Sequence, residues 1–131
     1  MDEILEYLKT NPVYFLATVD ADGNPQVRPF GTIAKFEDGL YIQTGRCKDV
    51  YKEMKAHPKC AISAMGKDGT WFRLEADFIE DDRVEAEAAV MDEYPSLQKN
   101  YQAGDGNCCV FRMENASAYI DSFTADRKVL A

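Results

Sequence analysis

The stretch VYFLATVDADGNPQVRPF, residues 13–30, decides how this chain of 131 residues folds. Val13 to Val19 is rich in β-formers and apolar on both faces, which reads as a buried strand. Asp20 to Pro25 then crowds Asp, Gly, Asn and Pro into one short segment, a turn cluster that returns the chain antiparallel into a second strand running from Gln26 to Phe36. Pro29 inside that strand offers no N–H to a ladder and so implies an edge or a bulge. Gly31 permits another group to approach the backbone closely.

Outward from this hairpin the punctuation stays regular. Upstream, Ile4, Leu5 and Leu8 repeat at helical spacing until Asn11-Pro12 stops them. Downstream, Glu37-Asp38-Gly39 turns the chain into a strand from Leu40 to Thr44. A second helix from about Lys48 to Ala56 stacks Val50 on Met54 and ends at His57-Pro58. Lys59 to Met65 reads as a strand, Gly66 to Gly69 as its turn, and Thr70 to Ile79 as a cleanly alternating strand. Its core face is Phe72, Leu74, Ala76 and Phe78; Trp71, Arg73, Glu75 and Asp77 face the other way. A helix from Asp81 to Tyr94 places Val84, Ala88 and Met91 on one stripe before Pro95 breaks it. Cys108 to Met113 and Ala116 to Phe123 read as two closing strands around Glu114-Asn115. The pattern predicts a mainly β, α+β domain over residues 1–131, with six or seven antiparallel strands and short helices, closed into a small barrel because closure removes the sheet edges.

Charge narrows the function classes. The chain carries 23 acidic and 15 basic side chains, a net charge of −8. The whole excess lies between Glu75 and Glu93, with nine acidic residues and one arginine, where the plain reading is a solvated helix face. An acidic protein repels phosphate backbones and anionic lipid, so neither nucleic acid nor membrane is expected as a partner. The N-terminal segment has acidic residues where a signal peptide needs basic ones, and a cytoplasmic location is expected. Cys47, Cys60, Cys108 and Cys109 lack metal-ligand spacing, so no metal is expected, and they read as buried reduced thiols, with Cys47 packed against the second helix. His57, the only histidine, reads as a cap at a helix end.

Against this background Gly45 to Lys59 has a net charge of +3. Its start, Gln43-Thr-Gly-Arg-Cys-Lys-Asp49, lies between a strand end and a helix start. A phosphate asks for converging backbone N–H groups, a hydroxyl, cations and a helix N-terminus. Thr44, Gly45, Arg46, Lys48 and the second helix supply each part, although a solvated basic helix start has the same composition. Arg28-Pro29-Phe30-Gly31, on a strand expected to pair with Leu40 to Thr44, would lie beside this turn. Trp71, Tyr101, Tyr119 and Phe123 are candidate walls for a flat ligand. Glu75 and Asp77 are commonplace strand carboxylates before they are an acid/base pair.

Taken in order, the helix ending in Asn-Pro, LATVDADGNPQVRP, DGLYIQTG, the Lys-bearing turn, the His-Pro pair and the strand FRLEAD resemble the pyridoxamine phosphate oxidase-like family of FMN-binding split β-barrels. The resemblance covers Glu3 to Asp82. It implies a homodimeric, Greek-key split barrel that binds FMN in grooves at the subunit interface. Thr44, Lys48 and then Arg46 are similar to phosphate and ribityl contacts, with Gly45 in the same turn. Arg28, Pro29, Phe30 and Gly31 resemble the strand along the flavin ring, with Gln43 similarly placed, and Trp71 and Arg73 resemble residues that close the partner's pocket. The activity so implied is an FMN-dependent oxidoreductase acting on a small soluble substrate, with NADH or NADPH as electron donor. A noncatalytic flavin- or haem-binding barrel is the alternative. Pyridoxamine phosphate oxidation itself is not expected, because the chain ends in TADRKVLA rather than in an Arg- and His-rich segment.

Overall fold

The computed structural model describes all 131 residues. A short helix α1 (Asp2–Thr10) precedes β1 (Tyr14–Val19), β2 (Pro25–Phe30), β3 (Ala34–Phe36) and β4 (Gly39–Gly45). Helix α2 (Asp49–Ala56), β5 (Lys59–Met65), β6 (Thr70–Asp81) and α3 (Val84–Asp92) follow. A 3-10 turn (Pro95–Lys99), β7 (Cys108–Ser122) and β8 (Lys128–Val129) complete the chain. No helix is long and apolar enough to cross a membrane.

All eight strands form one antiparallel sheet in the order β2-β1-β5-β6-β7-β4-β3, with β8 added to β7. The two ends of this path, β2 and β3, are separated in sequence only by Gly31, Thr32 and Ile33. A sheet whose ends are joined by three residues must curl until the ends nearly meet, and that is the split barrel. Side chains bridge the seam in place of a ladder. The Gln43 N–H donates to Thr32 Oγ1 (2.9 Å) and the Tyr14 hydroxyl to the Thr32 carbonyl (2.6 Å). Tyr94 accepts from the Ile33 N–H and donates to the Ile33 carbonyl, both at 2.9 Å.

Two strand expectations are corrected here. The run from Gln26 to Phe36 is two strands: β2 pairs with β1, and only β3 forms the hairpin with β4. Pro29 accordingly sits on an end strand, where its missing N–H costs no ladder bond. The segments 108–113 and 116–123 are one strand, β7. Asn115, at φ 54°, makes a bulge opposite the register shift between Glu75 and Asp77 and donates to Asp77 Oδ2 at 3.1 Å. Asparagine tolerates the left-handed region as a single residue, so the strand bends and continues instead of turning.

The interior is built from the predicted face of β6, Phe72, Leu74, Ala76 and Phe78, with Leu16, Ile62, Ile42 and Phe111 from its neighbours. Ile4 and Leu8 of α1 and Val50 and Met54 of α2 close it from outside. Strand β4 is buried along its whole length because α3 covers its second face, burying Tyr41, Ala86, Val90 and Val110 together. Of the expected α3 stripe only Met91 is fully buried. Val84 is half exposed, and Ala86, Glu87, Val90 and Met91 are buried, since β6 runs on to Asp81 and the helix starts later.

Where β6 ends, Asp81 accepts hydrogen bonds from Arg83 (2.8 Å) and from the Tyr41 hydroxyl (2.8 Å). The Arg83 guanidinium, with Tyr41 behind it, holds this carboxyl down at about 2 from an ordinary 3.8. A lowered carboxylate stabilises the fold above its unfolded pKa and loses that contribution as pH falls through the folded one. Asp81→Asn should therefore be less stable than the parent at pH 7. The gap should close between about pH 4 and pH 2 in acid titrations followed by circular dichroism. A gap that persists unchanged at pH 2 would show that the charge is not its source.

Candidate functional site

At the seam of the barrel lies a hollow of about 350 Å³ lined by Pro29, Phe30, Gly31, Thr32, Gln43, Thr44, Lys48, Tyr94, Ser96, Leu97 and Tyr101. The end of β2 and the crossing residues form one wall, the end of β4 the other, and the segment after α3 caps it. A second, larger hollow of about 810 Å³ lies between Gln26, Val27 and Arg28 of β2 and the start of α2, and Lys48 lines both. Gly31 is open to the first: a Cβ there would meet only the Pro12 carbonyl, at 3.7 Å. The chain's own packing does not demand glycine at that position.

Two polar groups of the hollow are unspent. The Thr44 Oγ1 is buried without a hydrogen-bond partner, a costly state for a hydroxyl in a folded interior. Lys48 is exposed, forms no ion pair, and holds its Nζ 6.0 Å from the Tyr101 ring centroid. Lys52, on the second hollow, is likewise without a carboxylate partner. Helix α2 begins without a side-chain cap, so its first amides remain available at the same place.

Other residues of the predicted turn have different duties. Arg46 faces away from both hollows: its Nε donates to Glu80 at 2.9 Å, its Nη2 to Glu87 at 3.3 Å and its Nη1 to the Cys108 carbonyl at 3.0 Å. Burial alone would raise the Glu80 carboxyl, but Tyr51, Lys55 and Arg46 together bring it below its ordinary value. The converging amides expected of the turn are also committed, Arg46 N–H to the Asn107 carbonyl and Cys47 N–H to Asn107 Oδ1. Gly45 is glycine for packing, since a Cβ would stand 2.9 Å from the Tyr101 ring. Arg28 borders the second hollow while bonded to Glu53 (2.8 Å), Thr18 (2.7 Å) and the Leu16 carbonyl. Cys47 is exposed rather than packed on α2, and the buried thiols of Cys60, Cys108 and Cys109 are pushed up by burial to about 11, 11 and 12.

Trp71 and Arg73 lie elsewhere. Cross-strand partners point to the same face, and the row Pro29, Phe15, Ser63, Arg73, Tyr119 runs across five strands on the outside of the barrel. Trp71 follows one row away, packed on Phe123 with ring centroids 5.0 Å apart. Neither residue lines the seam hollow of its own chain. Of the four aromatic candidates only Tyr101 does; Tyr94, which reasoning from sequence missed, joins it because a helix end brings it back over the seam.

The sequence profile described as pyridoxamine 5'-phosphate oxidase matches residues 1–119. The chain belongs to the pyridoxamine 5'-phosphate oxidase family. Among solved members and relatives, a NimC/NimA family protein from Clostridium acetobutylicum is 37% identical, with a TM-score of 0.92 over 99% of this chain and 93% of that one. General stress protein 26 from Bacillus anthracis superposes at 0.73 with 16% identity, covering 98% and 97%. A pyridoxamine 5'-phosphate oxidase-related, FMN-binding protein from Nostoc punctiforme superposes at 0.69 with 15% identity, covering 99% and 95%. The last two share the fold. No curated protein matches the sequence. The seam hollow of this pyridoxamine 5'-phosphate oxidase family member thus brings together Pro29, Phe30, Gly31, Gln43, Thr44 and Lys48, and leaves Arg28, Gly45, Arg46, Trp71 and Arg73 outside it.

Proposed function

We propose that the protein is an FMN-binding flavoprotein of the cytoplasm, an FMN-dependent oxidoreductase acting on a small soluble substrate with NADH or NADPH as electron donor. The observation that carries this reading is the seam hollow with an unpartnered buried Thr44 hydroxyl beside an unpaired Lys48. The residues present fit the group. Thr44 and Lys48 would bond the phosphate end, aided by Lys52 and the uncapped start of α2, and Pro29 to Gly31 with Tyr94, Leu97 and Tyr101 would flank the planar ring. When bound, FMN supplies hydride and electron transfer, and this chain binds, orients and tunes it. Of the C-terminal cations, Arg127 pairs with Asp121 and Lys128 with Glu3 at the surface.

The reading includes a homodimer. The outer sheet face exposes Phe15, Val27, Met65 and Phe123, an apolar surface that calls for cover. Trp71 and Arg73 lie on this face, outside their own chain's seam hollow, where a second copy docked on the face would bring them to its own hollow.

The test is the visible absorption spectrum of the purified protein, before and after adding FMN and then NADH or NADPH. Flavin bands that bleach on reduction and recover in air are expected. Lys48→Ala should weaken FMN binding by roughly tenfold to a hundredfold, the size of a charge-assisted hydrogen bond, without loss of fold. A colourless protein with no saturable FMN binding rejects the reading. Bound flavin that neither nicotinamide reduces favours a noncatalytic carrier, and a Soret band in its place assigns haem.

A further inference from the structure

The turn between β4 and α2 is fastened to one residue from a distant loop. Of its three amides, Arg46 N–H donates to the Asn107 carbonyl at 2.8 Å and Cys47 N–H to Asn107 Oδ1 at 3.1 Å. The third, Lys48 N–H, closes back on the Gly45 carbonyl at 3.1 Å. Asn107 is itself braced. Asp105 accepts from the amides of Gln102, Asn107 and Cys108 at 2.6 to 2.8 Å, and the Gly104 N–H donates to the buried Glu87 at 2.8 Å. Asn107 lines neither hollow, whereas Lys48 lines both.

We propose that Asn107 is a positioning residue: its side-chain carbonyl fixes the Cys47 amide and thereby aims Lys48 at the phosphate end of the bound flavin. This rests on the FMN reading of the hollows. With Oδ1 gone, water takes its place at the exposed Cys47 amide, and the peptide next to Lys48 loses its tether to the 102–107 loop. Lys48 then reaches the phosphate from a spread of backbone positions instead of one, while the contacts around the flavin ring are untouched.

The experiment compares FMN with riboflavin, which has the same ring system and no phosphate, by fluorescence titration of the full chain. Asn107→Ala should weaken FMN binding about three- to tenfold, the scale of one hydrogen bond, and leave riboflavin binding unchanged. In a Lys48→Ala background the same change should have no further effect on the FMN-to-riboflavin ratio, because the role acts through Lys48. Asn107→Ser, whose hydroxyl is too short to reach the amide, gives the same measurement if the alanine variant is not recovered folded. Equal losses for both flavins, an unchanged FMN affinity, or an undiminished effect without Lys48 each overturn the positioning role while FMN binding stands. A parent protein that binds neither flavin overturns both.

Discussion

Arg46→Ala should lower the unfolding free energy by about 3 kcal/mol, read as a shift of the urea midpoint at unchanged slope. The side chains of Glu80 and Glu87 are only 8% and 3% exposed, and Arg46 is their shared cation. Removing one member of a buried ion cluster leaves the others desolvated and uncompensated, at roughly 3–5 kcal/mol. The lower end applies because Glu80 keeps Tyr51 (2.8 Å) and Lys55 (3.1 Å), and Glu87 keeps the Gly104 N–H. Glu87→Gln in the same chain should recover part of the loss, since it removes the stranded charge and retains an acceptor. A loss below about 1 kcal/mol would mean that the cluster behaves like an exposed pair.

Phe111→Ala should cost about 3–5 kcal/mol, the usual range for a fully buried phenyl ring. Phe111 is inaccessible to solvent and sits on β7 between Ile42 of β4 and Glu80 of β6. Its ring meets Tyr51 edge to face at 5.8 Å, so the residue also ties α2 to the barrel. The variant should therefore lose hydrogen-exchange protection in α2 before the sheet strands that flank the cavity. Uniform loss across the protein would show that α2 does not depend on this contact.

The periodic parts of the fold were legible in the sequence because their signal is local. The alternation of Phe72, Leu74, Ala76 and Phe78 and the Val50–Met54 pair needed only neighbours to be read. The break after Phe30 had no such signal. Thr32 and Ile33 suit a continuing strand, and what ends it is a crossing held by Tyr14 and Tyr94, 18 and 61 residues away. Glu114-Asn115 reads equally as a turn or a bulge, and the continuous β6 alongside decides. Arg46 shared a basic cluster with Lys48, but its carboxylates lie 34 and 41 residues on, which composition does not disclose. The same pairing explains much of the acidic segment: Glu80, Asp81, Glu87 and Glu93 all accept hydrogen bonds or ion pairs within the fold. Asn107, one polar loop residue among several, carried no signal at all.

The crossing from Gly31 to Ile33 joins the two ends of the sheet and also walls the cavity. A molecule lodged there touches β2 on one side and β4 on the other, doing the office of the rungs that the barrel lacks. Only the folded barrel offers that double grip, so occupancy and thermal endurance become one equilibrium. At a hundredfold excess over its dissociation constant such an occupant adds about 2.7 kcal/mol to the native state, and the melting temperature becomes a titration curve.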